Sequence, residues 1–293
     1  MNTLGIHSLV FTPVWNETAA RRVFEQAREI GYDTVEVLMG DLDAVDVAMT
    51  ARLAQEHDMG VMVTMTGAPT ADLSNPDPDV YQRGEALVRR ALAMARDMGS
   101  PLLGGPTYSA VQRYPLAPSG FARERIVEAY GRLATAAEQM QLRLGLEALN
   151  RYESNFVNTL DQAAAIVRAV GSSALFVHAD LFHMAIEEGP LDEAIRRVGD
   201  VLGYVHVAES NRGGLGGGNT DWPRFFGALD EVGYHGPITY ESFSPTVLGP
   251  VFAGFIALWR DQWTDPEALA RSGLAFLRDQ ITAARARSID GGR

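Results

Sequence analysis

The segment EIGYDTVEV (29–37) ends a helical pattern at Gly31 and passes almost at once into a run of apolar residues. Glycine suits the left-handed residue that closes a helix, and a β-branched run suits a strand that is buried on both faces. The same pattern, a glycine at the end of a helix followed by an apolar run, recurs in HDMGVMVTM (57–65), DMGSPLLGG (97–105) and EVGYHGPITYES (231–242). The chain is therefore predicted to repeat a unit of one helix and one strand.

The segments between these strands have the apolar period of helices. Apolar residues recur every three or four positions in 18–30 and in 121–141, which predicts amphipathic helices. A further helix is predicted over 222–232, where Asp221 is the expected N-cap and Pro223 lies in the first turn. A last helix is predicted over 267–284.

Eight strands are predicted in all. They lie near Leu4–Val10, Thr34–Leu38, Val61–Met65, Leu102–Gly105, Arg143–Glu147, Leu175–Asp180, Tyr204–Ala208 and Ile238–Ser242. Eight alternating units without a linker-like segment predict an α/β fold, a single (β/α)₈ TIM barrel over residues 1–293. A doubly wound open sheet is the alternative, and it is weaker because no G-x-G-x-x-G motif follows a strand. The glycines of GGLGGG (213–218) are interpreted as a flexible loop.

Composition excludes several classes of protein. The 293 residues carry a net charge of −12, which argues against binding to nucleic acid or to an anionic membrane surface. The chain has no cysteine, which excludes disulfides, thiolate nucleophiles and cysteine-ligated metals. No apolar run approaches the roughly 20 residues that cross a bilayer, and the N-terminus lacks the features of a signal peptide. We therefore expect a cytoplasmic protein.

Polar residues stand at the ends of four consecutive predicted strands. These residues are Glu147, Asp180, His206 and Glu241. Their spacings of 33, 26 and 35 residues are each about one strand–helix unit. Because the carboxyl ends of barrel strands meet at one mouth, we expect three carboxylates and one imidazole to converge there. The alternative, four isolated polar strand ends, is disfavoured because an unpaired buried carboxylate costs several kcal/mol.

Three carboxylates packed together repel one another strongly, and a divalent cation resolves that repulsion. A donor set of carboxylates and one imidazole suits Mn²⁺ or Mg²⁺ and tolerates Co²⁺. Zn²⁺, which binds three or four such ligands, is a further candidate. One divalent metal ion per subunit is therefore predicted. Glu153, His183 and Arg212 lie in the loops that follow these strands. They offer an acceptor, a titratable donor and a fixed cation, which suits a polyol, although Arg212 alone also fits a surface charge.

Residues near the first, second and sixth strands complete the candidate site. His7 either faces the pocket or is a hydrogen-bonded core histidine. Trp15 is expected to wall the pocket, because sugar sites use aromatic faces. Glu36 ends the second strand and joins either the site or a hydrogen-bond network. His178 precedes Asp180 by two residues, so both side chains face the same side of the strand and His178 has a supporting role.

At these residues the sequence resembles a known family. LEALNRYESNFVNT (146–159), HADLFHMAIEE (178–188), VHVAESNR (205–212) and ITYESFSP (238–245), followed by WRDQW (259–263), resemble the ketose 3-epimerases. That family includes the D-tagatose, D-allulose (psicose) and L-ribulose 3-epimerases within the xylose-isomerase-like TIM barrels. The resemblance runs from the first strand to the last helix.

The resemblance implies a metal-dependent epimerase that inverts C3 of free, unphosphorylated ketoses through a cis-enediolate. Expected substrate pairs are D-fructose and D-allulose, D-tagatose and D-sorbose, or L-ribulose and L-xylulose. It implies that Glu147 and Glu241 are the acid/base pair. The implied metal ligands are Glu147, Asp180, His206 and Glu241. The implied substrate-binding residues are Glu153, His183 and Arg212.

Several alternatives stay open at this point. The nearest are other metal-dependent barrel enzymes, either an aldose–ketose isomerase or a lyase subunit that cleaves C-glycosides. A barrel endonuclease for abasic DNA is disfavoured by the charge of −12, and a non-catalytic sugar-binding protein would not need two glutamates on a metal. The apolar segment 244–263 either lines the pocket or forms a subunit interface. Because family members are often dimers or tetramers, we expect a homo-oligomer.

Overall fold

The structure, a computed structural model, describes residues 2–118 and 120–291. Eight parallel strands form a closed barrel in which each strand pairs with the next and the last pairs with the first. The strands are β1 Leu4–His7, β2 Thr34–Met39, β3 Gly60–Met65, β4 Leu102–Gly104, β5 Arg143–Glu147, β6 Leu175–Asp180, β7 Leu202–Val207 and β8 Ile238–Tyr240. The predicted (β/α)₈ barrel is confirmed.

Ten α-helices surround the barrel in the part of the chain that the structure describes. They are α1 Glu17–Ile30, α2 Val47–Glu56, α3 Pro78–Asp97, α4 Ala122–Gln139, α5 Leu160–Val170, α6 Leu181–Glu187, α7 Leu191–Val198, α8 Trp222–Glu231, α9 Pro245–Phe255 and α10 Pro266–Gly291. Within 2–118 and 120–291, none of these helices has both the length and the apolar character of a membrane-spanning segment.

Local signals in the sequence end and begin the elements as expected. Gly31 closes α1 in the left-handed region, with φ of 101°, and the Asp221 side chain accepts a hydrogen bond from the backbone N–H of Arg224 at the start of α8.

The first strand is shorter than predicted. It ends at His7, because Ser8–Val10 form a 3₁₀ turn in which the His7 ring accepts the Leu9 N–H. The eighth strand ends at Tyr240, so Glu241 directly follows it.

The barrel interior is apolar in its lower layer and polar at the carboxyl ends of the strands. A small buried cluster fills the lower layer. It consists of Met62, Leu102, Phe176 and Tyr204. Phe176 fits there because Gly145 and Gly203 on the neighbouring strands have no side chains. A Cβ on either glycine would lie 2.5–2.6 Å from Phe176 carbons. This packed layer supports the polar residues above it.

Adding a methyl group beside Phe176 tests this packing. We expect Gly203→Ala to destabilise the fold by about 1–3 kcal/mol, because the new carbon would overlap the ring and force a backbone or rotamer shift. Urea unfolding followed by circular dichroism measures the loss. The matched control is Gly131→Ala in α4, where a Cβ meets nothing within 4 Å. That variant should keep or gain up to about 1 kcal/mol, and equal stability of the two variants would contradict the packing argument.

Candidate metal centre and active site

The four residues predicted to hold a metal lie together at the carboxyl ends of the barrel strands. Asp180, His206 and Glu241 each offer one ligand atom, and these atoms lie within 4.8 Å of one another. Glu147 belongs to two further groups of the same size, one with Asp180 and one with His206. All four side chains are buried. The sequence spacing therefore predicted a real cluster.

Strand register explains why these residues meet. Glu147 and Asp180 are the last residues of β5 and β6, and His206 is the last but one of β7. Asp180 pairs with His206 across β6 and β7. Glu241 follows β8, and its backbone N–H donates to the carbonyl of Val207 on β7. Alternation along each strand then directs these side chains to the barrel interior.

The two ring nitrogens of His206 have different environments. Nε2 lies 2.7 Å from Oε2 of Glu36. Among the described residues, the buried Nδ1 has no hydrogen-bond partner, and it lies 3.8 Å from Asp180 Oδ2 and 3.6 Å from Glu241 Oε2. Leaving such an atom unpaired is costly. With the proton on Nε2, Nδ1 presents a lone pair beside two carboxylates, a donor set that fits a divalent cation.

Protonation of His206 is another way to offset the negative charge of the same carboxylates. Burial lowers the pKa of the His206 ring, but the charge of Glu36 and the carboxylates of Asp180 and Glu241 outweigh burial and hold that pKa well above its usual range. A proton and a metal ion thus compete for Nδ1, as is general for imidazole ligands.

Arg212, which was predicted to bind substrate, contacts the carboxylates of the cluster directly. Its Nη1 contacts a carboxylate oxygen of Glu241 and lies 3.4 Å from Asp180 Oδ2. The guanidinium carbon is 4.0 Å from the centre of the Phe182 ring and 4.7 Å from that of Phe243. Burial raises the pKa of Asp180, but Arg212 and two histidines outweigh it and hold that pKa well below its usual range.

The glycine-rich segment 213–218, predicted to be a flexible loop, is a loop, and a buried carboxylate ties it to the barrel. Glu209 Oε1 accepts hydrogen bonds from the backbone N–H of Gly216 at 2.7 Å and from the Trp222 indole at 2.8 Å. A Cβ on Gly218 would lie 2.1 Å from Glu209 Oε2. A side chain at position 218 would therefore displace the Glu209 carboxylate, and Arg212 directly precedes the anchored loop.

Glu147 differs from the other carboxylates because no arginine contacts it within the described chain. The nearest ring nitrogens are His183 Nε2 and His178 Nδ1, each at 3.8 Å. His178 Nδ1 accepts the backbone N–H of Gly105 at 3.2 Å. Burial, followed by the charges of Asp180 and Glu241, raises the pKa of Glu147 well above its usual range despite the opposing charge of His206.

His183 and Glu153 are joined through an asparagine that we did not identify from the sequence. His183 Nδ1 accepts the backbone N–H of Asn150 at 3.2 Å, and the Asn150 side-chain nitrogen donates to Glu153 Oε1 at 2.9 Å. The His183 proton therefore lies on Nε2, which faces Glu147 and Asp180. Asn150 carried a signal in the sequence, since it follows Glu147 by only three residues.

A cavity of about 360 Å³ opens beside the cluster. Seven of the predicted site residues line it: His7, Glu147, Glu153, His183, His206, Arg212 and Glu241. The opposite wall is apolar and comes from α9 and the residues after it. It includes Phe252, Phe255, Ile256, Leu258 and Trp259. Of the two alternatives for segment 244–263, the structure shows that residues between Phe252 and Gln262 line the pocket, and a subunit interface stays a prediction.

Trp15 does not line this cavity. Its indole N–H donates to Thr50 Oγ1 at 2.9 Å, and the ring borders a neighbouring cavity of about 290 Å³. Leu9, Leu38 and Phe252 line both cavities and lie between them. The arrangement thus brings His7 to the site and leaves Trp15 outside it, so the predicted wall is formed by other side chains.

The aromatic residues at the guanidinium are a feature that sequence reasoning missed. Phe182 and Phe243 each lie two residues after a predicted metal ligand, Asp180 and Glu241. Both rings face Arg212, which restricts its orientation and supplies a cation–π contact. Their proximity along the chain to the ligands was the available signal.

Comparisons with known proteins agree with this geometry. The family model described as Xylose isomerase-like TIM barrel matches residues 24–280. An L-ribulose 3-epimerase from Methylomonas sp. (strain DH-1) is 36% identical over 276 residues, which cover 94% of this chain and 96% of that protein. A ketose 3-epimerase from Arthrobacter globiformis is 36% identical over 282 residues, covering 96% and 97%.

Solved structures are also similar over nearly the whole chain. A crystal structure of a D-allulose 3-epimerase from Methylomonas sp. in complex with D-allulose has a TM-score of 0.92 at 35% identity, covering 95% of this chain and 97% of that one. A structure of an L-ribulose 3-epimerase has a TM-score of 0.95 at 32% identity, covering 100% and 99%. With the barrel, the cluster and these relatives in agreement, the chain belongs to the ketose 3-epimerases, isomerases of the xylose isomerase-like TIM barrel family.

Proposed function

We propose that this protein is a metal-dependent enzyme that inverts C3 of free ketoses. One observation carries the proposal: Glu147 at the end of β5 and Glu241 just after β8 line a single cavity, and both belong to the cluster that contains Asp180 and His206. The relatives named for L-ribulose, D-psicose and D-allulose support a ketohexose or ketopentose as the substrate.

Four residues would hold the cation: Glu147, Asp180, His206 and Glu241. The unpartnered Nδ1 of His206 and the surrounding carboxylate oxygens are donors of the kind that Mn²⁺ and Mg²⁺ accept, with Co²⁺ as a substitute. When bound, the divalent cation acts as a Lewis acid that polarises the C2 carbonyl and stabilises negative charge on the substrate oxygens by several kcal/mol.

The cavity walls suit a small polyol. His183 presents an N–H donor and Glu153 a carboxylate acceptor to the hydroxyl groups of the substrate. The aromatic and aliphatic wall from α9 excludes water from the reacting carbon, which strengthens electrostatic interactions. Arg212 is already paired with two carboxylates, so its charge is not free to bind a phosphate group. An unphosphorylated ketose is therefore favoured.

Inversion requires that the C3 proton leaves from one face and returns on the other. Glu241, ion-paired with Arg212, takes the C3 proton as the general base, and the electrons of the C–H bond move toward the C2 carbonyl to form an enediolate. In this scheme Glu147 starts protonated and gives its proton to the opposite face of C3 as the C2 carbonyl re-forms. After one turnover Glu241 carries a proton and Glu147 is ionised. Proton exchange with solvent restores the starting state, and the swapped pair carries out the reverse reaction, so no co-reactant is consumed.

The first test is the identity of the product. Metal-loaded protein incubated with a panel of free ketohexoses and ketopentoses should convert each accepted ketose to its C3 epimer, identified by chromatography. Formation of aldoses would instead indicate an aldose–ketose isomerase, and release of an aglycone from an oxidised C-glycoside would indicate a lyase. The panel also ranks the epimer pairs.

The oligomeric state is a separate prediction. We expect a homo-oligomer, and sedimentation of the same sample would check it.

The second test removes each acid/base group without changing its shape. We expect Glu147→Gln and Glu241→Gln to lower kcat for epimerisation by about 10²–10⁴-fold, because a positioned general acid or base contributes that much. Exchange of the C3 proton with solvent deuterium, followed by NMR, should fall with kcat. The matched control is Glu231→Gln on α8, an exposed glutamate paired with Arg196, which should keep full activity.

The amount of bound metal must be measured in both variants, since each glutamate is also a proposed ligand. A metal-loaded Glu147→Gln or Glu241→Gln protein that still epimerises with substantial deuterium exchange would contradict the two-carboxylate scheme.

The third test removes the cation. Exhaustive chelation should abolish epimerisation, and Mn²⁺ or Mg²⁺ should restore it. In thermal unfolding, Mn²⁺ at about one hundred times its Kd should stabilise the fold by about 2.7 kcal/mol, because it binds only the folded state. Full turnover by protein shown to be metal-free by elemental analysis would refute the metal dependence.

A further inference from the structure

Glu36 is a buried carboxylate for which the proposed reaction has no direct use. It lies in the middle of β2, not at its end as predicted, because the strand continues to Met39, and it is fully shielded from solvent. Oε1 accepts a hydrogen bond from Thr64 Oγ1 at 2.6 Å, and His7 Nε2 lies 3.4 Å from the same oxygen. Oε2 accepts the hydroxyl of Tyr204 and lies 2.7 Å from His206 Nε2. Side chains from β1, β3 and β7 therefore converge on one carboxylate.

These contacts involve no arginine in the part of the chain that the structure describes. An ionised carboxylate without a permanent cation is costly to bury. Hydrogen bonds from the Thr64 and Tyr204 hydroxyls to the carboxylate offset part of this cost. Such a group is retained at a cost in stability, which points to a role in the site.

The hydrogen bond between Glu36 and His206 determines which ring nitrogen of His206 presents a lone pair to the cluster. Because Glu36 is an acceptor, the proton of His206 lies on Nε2. Nδ1 then points its lone pair at the gap beside Asp180 and Glu241, where it has no partner within the described residues. Rotation of the ring would break the bond to Glu36. A carboxylate on the far nitrogen also makes an imidazole a stronger ligand.

We propose that Glu36 is a positioning residue of the metal centre, which fixes the tautomer and orientation of His206 and thereby sets the affinity of the site for a divalent cation. The inference rests on the proposed function, since it assigns a role toward the same cation. Tyr204 supports the arrangement, because its hydroxyl donates to the oxygen that accepts from His206 and lies 2.6 Å from Thr239 Oγ1.

The test is the affinity for Mn²⁺ alone, measured by electron paramagnetic resonance without substrate. We expect Glu36→Gln to weaken Mn²⁺ binding by about 10–100-fold, the usual effect of losing a carboxylate behind a histidine ligand. The matched control is Thr64→Val, which removes a hydrogen bond to the other oxygen of Glu36 and leaves the His206 bond in place. Its Kd should stay within about threefold of that of the wild-type protein.

A merely structural role would lower the stability of both variants without separating their affinities for Mn²⁺. Unfolding in urea, measured on the same samples, gives the stability of each. An unchanged Kd in folded Glu36→Gln, or an equal loss of affinity in Thr64→Val, would overturn the proposal.

A measurement on the wild-type protein does not depend on whether the variant folds. With Zn²⁺ as a diamagnetic substitute, ¹⁵N NMR of labelled histidines should show His206 protonated on Nε2 and ligated through Nδ1. The opposite pattern, with the proton on Nδ1, would overturn the inference. If the wild-type protein binds no divalent cation, the proposed function and the inference both fail; if it binds Mn²⁺ and Glu36→Gln binds it equally well, only the inference fails.

Discussion

Mutual repulsion of buried carboxylates is the constraint on which the site depends. Glu147, Asp180 and Glu241 are brought together where little water screens their charges. In the structure Arg212 pairs with two of them, and the raised pKa of Glu147 removes part of the third charge. The two glutamates of the cavity therefore have different surroundings, since Arg212 contacts Glu241 and no arginine among the described residues contacts Glu147.

The barrel makes this concentration of charge tolerable by dividing its interior. Phe176, packed against two glycines, fills the lower layer with apolar carbon. Above it, Tyr204 turns its ring to the apolar layer and its hydroxyl to Glu36. Polar groups at the mouth are therefore held from below by packing and from behind by hydrogen bonds. A site of this kind is preorganised, so little reorganisation is needed during reaction.

Much of the fold could be predicted because its signals are local. A glycine that ends a helix and the β-branched run that follows it lie within about ten residues of each other in the sequence. The predicted strands β5 and β6 agree with the structure at both ends. The predicted end of β1 was wrong, because a ring nitrogen of His7 accepts a hydrogen bond from the Leu9 N–H and the chain turns there. That choice depends on side-chain geometry, which the apolar pattern of the segment does not contain.

The spacing of one strand–helix unit, repeated along the chain, determined that Glu147, Asp180, His206 and Glu241 would share one mouth, since parallel strands in register place their ends side by side. Only the tertiary structure decided that Trp15 lies outside the cavity, that Arg212 reaches the carboxylates, and that Glu36 contacts His206 from 170 residues away. The contact between Glu36 on β2 and His206 on β7 crosses the closed barrel. All three outcomes depend on the reach and orientation of individual side chains, and sequence periodicity specifies only the face of the strand or helix on which a side chain lies.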